Sequence, residues 1–303
     1  MNAGDAGAIP RAAVARPSLR RSVFEPRALK SLLLSGGLWV AAIVAAIPLV
    51  SVLYMLMVRG GARLHWALFT ELPPAGFEMG GGFGNAIVGT LVMVGIGGLL
   101  SIPLGILAAV FLAELAPASR LAQAARFAAK TLTGLPSILA GVFAYAAVVL
   151  LTGTYSAPAG GLALAVLMVP TVLLTAEEAL KTVPRITKDA AYGMGCTRSQ
   201  VIWKVTLPTA MPGILTGVML AVARAAGETA PLLFTALFSN YWLFEGVRPQ
   251  LMQPTASLAV LIYNFSGMPF ENQIELAWAA SLVLVLLVLA INIVSRLIGQ
   301  RRV

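Results

Sequence analysis

Long stretches of this chain contain no charged side chain, and that feature restricts what it can fold into more than any other. Residues 32–58 and 85–113 carry no charge, and neither does the whole run 131–176. A further run from Pro208 to Phe244 is interrupted only by Arg224 and Glu228, and the last covers residues 276–295. A helix crosses a bilayer with about 20 mostly apolar residues, so each run is long enough to span. The run 131–176 is too long for one crossing, and Gly153-Thr154-Tyr155-Ser156-Ala157-Pro158-Ala159-Gly160-Gly161 places turn-forming residues in its middle. Two helices joined by a short loop are expected there.

Composition supports the same solvent. The 303 residues are 59% hydrophobic and 11% charged, against about 45–50% and about 25% in a soluble domain. So few charges, gathered into a few segments, cannot give a fold of this size a polar skin, which excludes a soluble enzyme. A single cysteine excludes a disulfide framework, and a single histidine makes a zinc or iron site improbable. No catalytic residue, metal or cofactor is expected.

The sequence therefore predicts an all-α membrane protein with six transmembrane helices at about 32–58, 85–113, 131–152, 161–176, 209–240 and 276–296. These lie in a permease domain over residues 31–303, preceded by a segment 1–30 expected to be disordered. Basic residues near span ends stay on the cytoplasmic side. The N-terminal segment, the loops at 120–130 and 181–204 and the C-terminal tail hold 17 of the 21 Lys and Arg residues. The N- and C-termini are therefore expected in the cytoplasm. The same distribution accounts for the formal net charge of +9 without any nucleic acid.

The cytoplasmic loop 177–208 reads as two short helices. Thr187 is positioned to cap the first, Asp189 puts negative charge in its first turn, and Gly193 and Gly195 offer a left-handed stop. Thr197 and Gln200 form a capping-box pattern opening the second, which Pro208 is expected to end.

Arg224 and Glu228 are four apart in the fifth apolar run, hence on one helix face. A charge at the middle of a membrane costs about 2.5–3.5 kcal/mol on insertion scales, so such residues are paired, inward-facing and functional. Gly227 and Pro231 are expected to loosen the helix between and beyond them, exposing backbone amides beside the Thr229 hydroxyl. A guanidinium fork matches a tetrahedral oxyanion better than a cation or a sugar.

Two motifs carry a family resemblance. Asp189-Ala190-Ala191, three residues, Gly195, nine residues and Val205-x-Leu207-Pro208 resembles the EAA loop of permease subunits of ATP-binding-cassette importers. Asp189 stands where that pattern has Glu, and Val205 where it has Ile. The segment Ala223-Arg224-Ala225-Ala226-Gly227-Glu228-Thr229-Ala230-Pro231-Leu232-Leu233-Phe234-Thr235-Ala236 is similar to the signature of the PstA family of phosphate-importer permeases. The stretch Gly80-Gly81-Gly82-Phe83-Gly84-Asn85-Ala86-Ile87-Val88-Gly89-Thr90-Leu91 resembles the start of that family's second span.

The resemblance implies a type I ABC importer permease fold in the bacterial inner membrane, with phosphate as substrate. It implies a second permease subunit (PstC-like), a cytoplasmic ATPase dimer (PstB-like) and a periplasmic phosphate-binding protein (PstS-like). ATP hydrolysis would belong to the ATPase, so this chain is not itself expected to be an enzyme. Arg224, Glu228 and Thr229 would line the substrate path, and Asp189, Ala190, Ala191, Gly195, Leu207 and Pro208 would dock the ATPase. The readings left beside it are a permease for another oxyanion such as sulfate or molybdate, an ion-coupled secondary transporter, and a membrane scaffold.

Other signals are discounted. No Gly-Lys-Ser or Gly-Lys-Thr follows the glycines at 80–84, which excludes a nucleotide loop there. His65 beside Trp66 reads as an interfacial neighbour and Cys196 as a small packing residue. Residues 255–265 are apolar but too short to cross, which suggests an interfacial or re-entrant helix.

Overall fold

The computed structural model describes residues 26–246 and 248–300. The disorder expected for 1–30 thus falls, over residues 1–25, outside the described residues, as do Arg301 and Arg302 of the basic tail; Pro26–Lys30 belong to a helix. The chain divides into two units, Met1–Tyr54 and Met55–Val303. The described part of the first is α1 (Pro26–Met55) as far as Tyr54; its apolar side chains from Leu32 onward are exposed, as befits a helix solvated by lipid.

The second unit opens with a turn of α2 (Ala67–Thr70) and then α3 (Gly84–Val110), which a wide π-type turn extends to Leu115. Next come α4 (Arg120–Gly134), α5 (Ser137–Ala144) and, after another π-type turn, α6 (Leu150–Thr152). The long α7 (Ala157–Lys181) is followed by α8 (Arg185–Gly193), α9 (Arg198–Val201) and α10 (Leu207–Gly227). A single turn α11 (Ala230–Leu233) precedes a two-residue antiparallel pairing of β1 (Phe244–Glu245) with β2 (Arg248–Pro249). The chain closes with α12 (Leu258–Ser266) and α13 (Glu271–Gln300). Among the described residues five helical stretches are long and apolar enough to cross a membrane; the pair 120–134 and 137–152, bent by 105°, makes a sixth if counted as one span.

Several boundaries differ from the sequence reading for physical reasons. The helix expected over 131–152 starts at Arg120 and breaks at Leu135-Pro136, because the residue before a proline is driven to extended geometry; Leu135 has ψ 144°. The span expected over 209–240 leaves helical geometry at Glu228. Pro208 does not end the second loop helix. It lies in the first turn of α10, and the π-type turn Ile202–Thr206 carries α9 into α10 as one helical stretch, Arg198–Gly227. Nor does Thr187 cap α8, which begins two residues earlier behind Pro184, so that Asp189 falls outside its first turn.

The core forms where α3 lies along α7, the most extensive contact between elements. Small residues permit it, as expected where helices associate in lipid by close packing. A Cβ on Gly105 would lie 2.7 Å from Cγ1 of Val172, and one on Gly161 2.5 Å from Cγ2 of Ile96. A second core gathers Leu68, Phe83, Leu258, Leu261 and Leu276 around the start of α3, with α12 and α13. There Thr90 accepts from the Leu258 N–H (2.9 Å), and the buried Asn85 amide donates to the carbonyls of Ser239 (2.8 Å) and Tyr241 (3.2 Å). These bonds pin the irregular segment that follows α11.

Gly105→Leu should destabilise the protein by about 1–3 kcal/mol, the usual range for overpacking. Gly95→Leu, where an added Cβ meets nothing within 4 Å, should leave stability unchanged. Unfolding in detergent micelles distinguishes the two.

Candidate functional site

The sequence points to two places, a charged pair at the end of α10 and the loop between α7 and α10. At the first, α10 stops at Gly227, and Glu228 takes an extended conformation (φ −75°, ψ 123°). Pro231 stands in the first turn of α11, where its missing N–H costs nothing. The helix is therefore broken at residues 228–229. Nε of Arg224 donates to Oε1 of Glu228 at 3.2 Å. The guanidinium side chain is 41% exposed and the carboxylate 16%, while Ala225 and Ala226 on the opposite face are buried. Among the described residues Glu228 is the only side chain bonded to Arg224, through Nε, so the guanidinium keeps donors to spare. Thr229 sits next to the pair at the break, half-buried, and its carbonyl accepts from the N–H groups of Leu232 and Leu233.

Sequence reasoning did not find what holds this break in place. A Cβ on Gly141 of α5 would lie 2.6 Å from Cα of Pro231 and 2.9 Å from its carbonyl oxygen. Those are backbone atoms that cannot rotate away, so the absence of a side chain at Gly141 sets how closely α5 can seat the broken segment. The signal was a glycine in a charge-free run, indistinguishable in sequence from the glycines that touch nothing.

At the second place, Asp189 and Ala190 are exposed on α8, and Ala191 is buried beneath them. Gly195 has φ +85°, a left-handed conformation that side chains resist, and it turns the chain from α8 to α9. The Thr197–Gln200 capping box is formed. Leu207 is half-buried and Pro208 exposed on the continuous helix. Ile186, Tyr192, Met194 and Trp203 present exposed apolar surface on the same element.

The polar links of this element to the rest of the protein were also missed. Nζ of Lys188 meets Oε1 of Glu114 at 2.5 Å, and Arg198 donates to the carbonyls of Glu114 and of Leu115, the latter at 2.6 Å. Behind it the buried carboxylate of Glu177 takes Nε of Arg126 at 2.6 Å and Nζ of Lys181 at 2.9 Å. Arg126 also donates to the carbonyls of Leu112 and Pro117. The available signal was that Glu114 and Glu177 are the first charges after two apolar runs; counting only basic residues for orientation passes over them.

The comparisons with known proteins agree on one class. A family model described as the inner membrane component of binding-protein-dependent transport systems matches residues 101–303. Among solved structures, a chain of a bacterial alginate ABC transporter, in complex with an alginate pentasaccharide-bound periplasmic protein, superposes with TM-score 0.63 at 16% identity, covering 92% of this chain and 98% of that one. A chain of the inward-facing MetNI methionine ABC transporter gives 0.57 at 19% identity, over 72% and 94%. Fold and family thus define a multi-pass inner-membrane component of an ABC transport system.

Curated relatives narrow this. The phosphate transport system permease protein PstA of Yersinia pestis is 41% identical over 254 residues, 84% of each chain. That of Haemophilus influenzae is 41% identical over 270 residues, 89% of this chain and 94% of the relative. A probable PstA of Methanocaldococcus jannaschii is 40% identical over 216 residues, 71% and 75%. The chain belongs to the PstA family.

Gly141→Val is expected to displace the broken segment and lower substrate uptake by about tenfold or more, since misplacement of a site by about 1 Å can cost as much as 10²-fold. Gly134→Ala, where an added Cβ meets nothing, should transport normally. Uptake normalised to membrane abundance checks both.

Proposed function

We propose that this chain is the permease subunit of an ATP-driven phosphate importer and lines half of the substrate path. Observation and chemistry meet at the break after α10, where a guanidinium with free donors stands on an open face beside a backbone that has left the helix. Arg224 supplies a planar fork suited to a tetrahedral oxyanion. Thr229 adds a hydroxyl, and Glu228 orients the guanidinium and offsets part of its charge, so that the anion is held weakly enough to leave. The names of the relatives support phosphate as that anion. Sulfate and molybdate share the geometry, and competition uptake distinguishes them.

On this reading the open face of α10 is completed by a second permease subunit of similar fold, and a periplasmic phosphate-binding protein delivers substrate. Both termini lie in the cytoplasm, where the ATPase dimer hydrolyses ATP; this chain performs no catalysis. Asp189 on exposed α8 anchors the ATPase, with Ala190, Ala191 and Gly195 shaping the docking surface and Leu207 and Pro208 joining it to α10. Closure of the ATPases pushes on this element and tilts the helices that line the path.

Arg224→Gln should abolish high-affinity phosphate uptake while the assembled complex remains in the membrane at its normal level. Uptake equal to the parent's would refute the assignment. Gly195→Val, forced into the left-handed region, and Asp189→Lys should instead weaken co-purification of the ATPase, whereas unchanged co-purification and unchanged uptake would contradict the docking role.

A further inference from the structure

The last carbonyls of a helix have no partner within it and must be satisfied from elsewhere. At the end of α3, extended to Leu115, three of them are satisfied from other elements. Arg126 of α4 takes the carbonyl of Leu112, and Arg198 of α9 takes those of Glu114 and Leu115. Lys188 of α8, the residue before Asp189, adds an ion pair to Glu114 in which both side chains are largely buried, at 18% and 13% exposure. Arg198 of α9 therefore caps the end of α3 together with Arg126 of α4, and the ion pair ties α8 to the same end. Cations at a helix C-terminus also meet the negative end of its dipole.

We propose that the cytoplasmic end of α3 is the receiving point of the coupling element, with Lys188, Arg198 and Glu114 as positioning residues. Displacement of α8 and α9 either carries α3 with it or strips its carbonyls of their donors, and the second course is opposed by the loss of two bonds and an ion pair. Motion delivered there reaches the site because α3 is packed along α7. Where Gly160 leaves room, Met93 of α3 and Leu232 of α11, just beyond the break, come together, 2.6 and 3.2 Å from the position a Cβ of Gly160 would take. This inference rests on the proposed coupling to an ATPase and is independent of which anion is carried.

The test uses the complete complex in a Cys196→Ser background. Spin labels replace Leu107 on α3 and Leu289 on α13, both exposed, and the distance between them is measured with and without trapping the ATPase by ATP and vanadate. The parent should show a shift. Lys188→Glu and Glu114→Lys should each lose more than half of it with the ATPase still bound, and the charge-exchanged double variant should recover most of it. A parent without a shift, single variants that shift like the parent, or a double variant no better than the singles would each overturn the proposal. Phosphate uptake is measured in parallel. A parent that shifts but takes up no phosphate would refute the substrate while leaving this coupling route standing.

Discussion

A backbone that abandons helical geometry in an apolar layer must find partners for the groups it frees, since lipid supplies none. The break at residues 228–229 is where this chain meets that demand. Glu228 N–H reaches back to the Ala225 carbonyl at 3.3 Å, and the Thr229 carbonyl takes two N–H groups from the turn that follows. Pro231 contributes no donor, so one fewer group needs satisfying. Beyond it the carbonyls of Thr235 and Ala236 accept from Ser156 (3.0 Å) and Thr255 (2.9 Å). One side of the break is thus bonded to protein, and Arg224, exposed, stands with Glu228 on the other.

The continuity of the helix leading to that break connects the two ends of the proposed mechanism. Arg198–Gly227 is one helical stretch of 30 residues, about 45 Å at 1.5 Å per residue. Its first turn grips the end of α3, and its last carries Arg224. On the proposed mechanism, movement of the coupling element would be felt at the charged pair along a single rod, and a second time through α3 and its packing on α7. Two parallel connections between the same ends resist bending better than either alone, which suits a subunit that would be driven by mechanical push from the cytoplasm.

Much of this was legible in the chain itself. Charge-free runs coincide with the five long apolar helices, and Gly227 and Pro231 signalled a loosened helix where the structure shows a break. The Thr197–Gln200 box and the left-handed Gly195 were readable for the same local reason. What escaped was decided by tertiary context. Pro208 looked like a stop, but it follows a π-type turn and stands in the first turn of α10, where the helix runs on. Gly141 and Pro231, Glu114 and Lys188, and Arg126 and Glu177 are 90, 74 and 51 residues apart in sequence, and no spacing rule connects them.

The central claim is that Arg224 and Glu228 face an aqueous route for an anion within the membrane. A cysteine placed at Gly227, an exposed position beside the pair where an added Cβ meets nothing within 4 Å, leaves Arg224 and Glu228 in place; in the assembled complex without native Cys196 it can be challenged with a membrane-impermeant thiol reagent in the presence and absence of phosphate. The account predicts modification from water that phosphate slows. Modification by lipid-soluble reagents alone, at a rate indifferent to phosphate, would contradict it.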